Sequence, residues 1–192
     1  MTAKIPIAKI PSGYDEIVAT YGNPAGHNGN ANPVWEAASI ADFVPPYQFY
    51  YEGETANTPI THFRVHKLIA PELTAILTAI YKAARMIVKK NDGDSFDTAY
   101  YDRRTLEVLA ENRCNMFSGS YVYRNKRGQN VPSDHAFGIA IDFDANHNAF
   151  GSQEGTLPAW FVSAFVDAGW EWGGQWTGTN RDWMHFQRAQ GY

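Results

Sequence analysis

Two short segments of this chain hold residue types that can carry out hydrolysis together. SDHAFGIAID covers residues 133–142 and DWMHF covers residues 182–186, and between them they offer two imidazoles and two carboxylates. His135, Asp142 and His185 would make a three-ligand zinc site. Three protein ligands leave a fourth position for water, which separates a catalytic zinc from a closed structural one. Asp182, three residues before His185, could take a proton from that water. The combination reads as a metallopeptidase site.

These side chains can meet only if the backbone bends between them. His135 and Asp142 are seven residues apart, so a regular strand would point them to opposite faces. Gly138 can supply the bend, because it tolerates backbone angles that other residues resist. Asp182 and His185 have the same parity problem, and a turn at Trp183 and Met184 would solve it. Residues 138–144 alternate as a strand does, with Ile139, Ile141 and Phe143 on one side and Ala140, Asp142 and Asp144 on the other. Residues 118–124 also alternate, and residues 183–187 are expected to form a third strand. The clearest helix begins at Pro71, a residue suited to the first helical position. Leu73, Ile76, Leu77, Ile80, Ala84, Ile87 and Val88 give it one apolar face, Lys89 and Lys90 suit its C-terminal end, and NDGD (91–94) stops it. A shorter helix is expected over residues 158–168, with Gly169 at its exit. Residues 22–33 carry the Gly, Asn and Pro punctuation of an irregular loop, and residues 43–54 read as loop plus a short extended piece. The expected fold is α+β: a small antiparallel sheet with the zinc site on one face and helices packed on the other.

A His–Asp pair alone is most simply a structural hydrogen bond; the full pattern, with its Gly, Ala and Phe positions, points to zinc. S-x-H-x-x-G-x-A-x-D followed by D-x-x-H-F resembles the zinc peptidase family of D-alanyl-D-alanine carboxypeptidases and dipeptidases. That family also contains L-alanyl-D-glutamate endopeptidases used as phage endolysins. The resemblance runs from residue 118 to the end, with weaker echoes in YGNP (21–24) and VHKLIAPEL (65–73). It implies zinc on His135, Asp142 and His185, with Asp182 as general base; the rival role for Asp182 is to orient a metal-bound imidazole. Asp at that position, with GWEWGGQW (169–176), is more similar to the endolysin branch. SYVYRNKRG (120–128) resembles the family segment whose Arg follows Tyr, which implies Arg124 as donor to the oxyanion, with Arg127 as competitor. Ser133 would either bind ligand or substrate or shape a turn with Pro132. Trp176 is expected to line the cleft and Trp170 to pack inside.

The implied function is a monomeric zinc peptidase acting on the peptide stems of bacterial peptidoglycan, at the L-alanyl-D-glutamate bond. One alternative is a D-alanyl-D-alanine carboxypeptidase or dipeptidase. Another is a zinc-stabilised binding domain without catalysis, since hedgehog signalling domains resemble this fold; the presence of Asp182 argues against it.

Composition fits these expectations. The 192 residues suit one catalytic domain spanning 1–192, with a loop-rich part over 1–60 and the metal-site core over 118–192. Net charge is −4 and no basic stripe tracks along the chain, which argues against nucleic acid as a partner. No apolar run approaches the ~20 residues that span a bilayer, so no membrane anchor is expected. The first 16 residues lack the apolar core of a signal peptide, and Cys114 stands alone, which fits folding in a reducing host cytoplasm; holin-type release to the wall is the exit that the resemblance implies. The chain stops seven residues after His185 and shows no repeat, so no separate wall-binding module is expected. His62 and His66 have helical zinc spacing but sit in an alternating THFRVH segment, and read as non-ligands. Asp92, Asp94 and Asp97 do not follow calcium-loop order and read as a solvated helix exit.

Overall fold

The computed structural model describes residues 9–51 and 57–191. Residues 1–8 and 52–54, on which part of the N-terminal and 43–54 expectations fall, lie outside the described residues. The first helix, α1 (Gly13–Tyr21), turns Ile17 and Tyr21 inward. Asn32 caps α2 (Pro33–Ser39): its side-chain oxygen accepts from the N–H groups of Val34 and Trp35, and Pro33 takes the first helical turn, where no N–H is needed. Strands β1 (Ile40–Phe43), β2 (Phe49–Tyr51), β3 (Thr58–Ile60) and β4 (Phe63–His66) follow. The expected loop-rich first part therefore holds two helices and several short strands, because cap residues and Pro placed the helix starts where composition suggested only loop.

The long helix, α3 (Ala70–Asp92), matches its apolar pattern, burying Leu73, Ile76, Leu77, Ile80, Ala84 and Val88. After it comes α4 (Thr98–Glu111), which the aspartate-rich segment had hidden. Asp97 is its N-cap and accepts from the N–H of Tyr100 at 2.8 Å. The chain then runs through β5 (Met116–Gly119), β6 (Ala140–Phe143), α5 (Ala159–Val166), β7 (Glu171–Trp172) and β8 (His185–Gln187). No helix of the described residues is long and apolar enough to cross a membrane.

Two sheets form. One pairs β1 with β4; the other has six strands in the order β3-β2-β5-β6-β8-β7. All neighbours are antiparallel except β2 and β5, which run parallel. The sheet is thus larger than expected and mixed rather than purely antiparallel. Parallel neighbours need a long crossover, and here β3, β4, α3 and α4 lie between β2 and β5. Strand β5 is also shorter than the predicted 118–124 strand. Its register with β6 shifts between Phe117 and Gly119, and the chain beyond turns to β4, where the Ser120 hydroxyl and the Tyr121 N–H both donate to the Arg64 carbonyl.

Alternation in the central strands divides core from site. Ile141 and Phe143 of β6 and Phe186 of β8 are fully buried. Phe165 of α5 packs on Phe186 with ring centroids 4.5 Å apart, and Phe161 meets Phe143 edge-on at 5.1 Å. Burying such a side chain contributes about 1.5–3 kcal/mol, so this aromatic cluster firmly fixes the helix-facing side of β6 and β8. Their other side carries Asp142, His185 and Gln187.

Candidate metal centre

Strand register sets the first two polar groups. Asp142 lies directly opposite His185 across the β6–β8 pair, so both side chains project from the same face. His135 arrives from beyond the bend expected at Gly138, in a 3-10 turn, Asp134–Phe137. Ser133 caps that turn, its hydroxyl accepting from the Ala136 N–H at 3.3 Å. Gly138 ends it at φ +69°, and its carbonyl accepts from the His66 N–H of β4 at 2.8 Å. A Cβ at this position would come within 2.7 Å of Ile40 Cδ1 and 2.8 Å of the His66 nitrogen. Only glycine satisfies both the left-handed backbone and the close approach of β1 and β4.

The three groups converge. His135 Nε2 lies 3.2 Å from Asp142 Oδ2, His185 Nδ1 lies 3.0 Å from Asp142 Oδ1, and the two imidazole nitrogens are 3.2 Å apart. A tetrahedral ion with bonds of ~2.05 Å has ligand–ligand edges of about 3.3 Å, so these residues already stand near zinc spacing. The outward nitrogens are held too. His135 Nδ1 is 2.7 Å from the Ser120 carbonyl, and His185 Nε2 is 2.9 Å from Gln187 Oε1. Both outer partners accept, so the outward nitrogens carry the protons and the inward ones face the centre, as in metal-bound histidines. His135, Asp142 and His185 thus form a cluster that could hold a metal ion.

Electrostatics agree with a cation-binding role. Burial alone would raise the Asp142 carboxyl, but the ionic attraction and hydrogen bonds of the two imidazoles hold it well below the usual range. Burial would lower His185, yet its hydrogen bond and charge pairing with Asp142 outweigh that and lift it to about 9. Without a metal, the centre therefore retains a proton where a cation would be shared.

Asp182 stands beside this cluster in a different state. Burial pushes its carboxyl up to about 6, partly offset by the imidazole charges. Its Oδ1 is buried and has no hydrogen-bond partner among the described residues. Its backbone is pinned by Gly173, whose carbonyl accepts the Asp182 N–H at 3.0 Å and where a Cβ would collide with Asp182. The turn at Trp183 and Met184 brings His185 round, with its N–H donating to the Asp182 carbonyl at 3.3 Å.

A cleft of about 380 Å³ opens over the cluster, lined among others by Arg124, Arg127, Ser133, Trp176 and Asp182. Trp176 lies 5.5 Å from the His185 ring, while Trp170 is buried against Phe165 at 5.4 Å. Arg124 is exposed on the rim; Arg127 lies over the Phe150 ring at 4.5 Å. Ser133 lines the cleft, and its hydroxyl caps the 3-10 turn. His62 is exposed and His66 is buried against Tyr21 and Trp35, its nitrogen 3.2 Å from the Tyr21 carbonyl, outside the cluster.

Residues 126–188 match a family model described as D-alanyl-D-alanine carboxypeptidase. That stretch is about a third of the chain and contains the three cluster residues, Asp182, Ser133 and Trp176, but not Arg124. It supports a metallopeptidase reading. No curated protein and no solved structure matches the chain.

Sequence reasoning missed Gln187, Glu171 and the Ser120 carbonyl. Gln187 had a usable signal: two residues beyond His185 in a strand, it must share that face. The Ser120 contact is made by backbone and leaves no mark in residue types.

Proposed function

We propose that the protein is a zinc-dependent peptidoglycan peptidase that cuts the L-alanyl-D-glutamate bond of the peptide stem, as a phage-type endolysin. The observation that carries this reading is a buried carboxylate oxygen, Asp182 Oδ1, that has no hydrogen-bond partner among the described residues and lines the same cleft as a preformed His–Asp–His cluster. Structural ion pairs satisfy their oxygens; a proton-accepting group must leave one open.

Zinc held by His135, Asp142 and His185 would supply a Lewis acid that polarises the scissile carbonyl and acidifies water. Asp182 takes the proton of the attacking water and later hands it to the leaving amine; a carboxyl lifted to about 6 suits both directions near neutral pH. Arg124 at the rim donates to the oxyanion, with Arg127 as the competing donor. The basic rim also fits the substrate, because the D-glutamate residue carries a free carboxylate one carbon from the scissile nitrogen. The enzyme acts as a monomer on wall peptides, reached from the host cytoplasm through holin-type release.

The matched family description favours a second reading, removal of a terminal D-alanine, whose carboxylate is placed in the same way. Mass spectrometry of digested peptidoglycan separates the two. New N-terminal glutamate supports the endopeptidase, and loss of D-alanine alone supports the carboxypeptidase. A zinc-loaded protein that releases nothing, with or without chelator, would leave a non-catalytic zinc domain.

A further inference from the structure

The face of the sheet behind His185 carries a hydrogen-bonded chain with only one self-consistent polarity. Gln187 is fully buried and sits two residues beyond His185 on the same side of β8. Its amide nitrogen lies 3.4 Å from Glu171 Oε2 and 3.3 Å from the Ala189 carbonyl. Carboxylate and carbonyl oxygens only accept, so the amino end of the amide must face them. The oxygen end is then left for His185 Nε2, 2.9 Å away. An oxygen acceptor there requires a proton on Nε2, which leaves Nδ1 as the nitrogen that can bind a cation.

Glu171 has a second task. It pairs directly with Gln187 across β7 and β8, and its other oxygen accepts from the Trp176 indole N–H at 2.5 Å. Trp176 is the aromatic wall of the cleft beside the His185 ring. One carboxylate therefore grips both the wall that substrate would touch and the residue that orients a metal ligand.

We propose that Glu171 and Gln187 are positioning residues: Glu171 fixes the direction of the Gln187 amide, and Gln187 thereby selects the His185 tautomer that can ligate metal. This inference rests on the metal-centre reading given above. A flipped Gln187 amide would present N–H to Nε2, favour the proton on Nδ1 and close that nitrogen to the ion.

The test is zinc affinity, measured by chelator competition on the full chain, with nitrogen-15 spectra of the zinc-loaded His185 ring. In the wild type the spectra should show Nδ1 bound and Nε2 protonated. Gln187→Met keeps the volume but removes the acceptor, and should weaken zinc ~10–100-fold, the usual effect of losing a partner behind a metal-bound imidazole. Glu171→Gln can accept at only one end, so it should also weaken zinc and perturb the His185 ring signals. The exchanged pair, Glu171→Gln with Gln187→Glu, restores acceptors toward both Trp176 and His185 and should recover part of the loss, which a general packing defect would not. Wild-type affinity in a folded Gln187→Met protein overturns the positioning role alone. A wild type that binds no zinc overturns the metal centre itself, and this inference with it.

Discussion

Replacing Asp182 with Asn should change stability in a way that depends on pH and has a calculable size. In the folded protein burial pushes this carboxyl up to about 6, against 3.8 for an ordinary Asp. The gap is about 2 units, and each unit corresponds to ~1.4 kcal/mol, so burying the ionised form costs about 3 kcal/mol. The folded state holds the proton more tightly than the unfolded state. Below pH ~4 both states are protonated and nothing is lost; as pH rises from about 4 to 6 the unfolded chain ionises first and stability falls; above about 6 the full penalty stands. Asn carries no charge to desolvate. Asp182→Asn should therefore be more stable than the wild type by up to ~3 kcal/mol at pH 7.5 and show no such gain at pH 4. Urea unfolding of the metal-free protein at both values, in chelator, measures the difference. The same variant, zinc-loaded, should lose ~10² or more of its peptidoglycan cleavage if Asp182 moves the proton. An equal stability difference at both pH values would refute the desolvated carboxylate. Full activity in the zinc-replete variant would refute its role as base. If Asp182 only orients His185, excess zinc should restore activity to the Asn variant.

Three further outcomes follow from the geometry. His135→Ala and His185→Ala should each lose stoichiometric zinc, read by elemental analysis, and lower the melting temperature of the zinc-treated protein, because part of the binding energy is folding energy; a full equivalent retained by either variant removes that ligand. Arg124→Ala should keep its zinc and lose ~10²–10³ in turnover, and an unchanged rate with a comparable loss in Arg127→Ala would move the oxyanion donor to Arg127. Gly138→Ala places a methyl group against Ile40 and the His66 backbone at a positive φ, and should cost roughly 1–3 kcal/mol or more in denaturant unfolding and weaken metal binding by displacing His135; a neutral effect would mean the turn can relax.

Much of the site was legible because local chemistry encoded it. Alternation placed Asp142 opposite the apolar triplet, and Gly138 offered a residue able to make the bend, while its steric necessity came from the approach of Ile40 and His66. The strand parity argument showed that His135 needed a break but not which one, since a capped 3-10 turn and a bulge both satisfy it. Apolar spacing exposed α3, whereas α4 was masked because its inward face is built partly from Tyr101 and Thr105 rather than aliphatic residues, and because the Asp before it serves as a cap. The β2–β5 pairing had no local signature: nothing in Phe49–Tyr51 says that Met116–Gly119 will run beside it. Glu171 was equally hidden, because its importance arises only when β7 and β8 come into register.

The position of β8 in the sheet has a consequence for the order of assembly. It follows β7 in sequence yet lies between β6 and β7, and the segment after it closes on the first helix, with Gln190 exchanging backbone hydrogen bonds with Pro11 and Gly13. His185 therefore enters its cluster only when β8, with β7 antiparallel on its outer side, docks on the edge of β6, a strand more than forty residues earlier in the chain. Contacts of such long sequence separation form slowly. Pulse-labelled hydrogen exchange should find the amides of β8 protected after those of α3, and zinc capture should follow the same slow phase. Until that docking, a nascent chain carries His135 and Asp142 without His185, so the timing of synthesis itself delays the completion of the cluster.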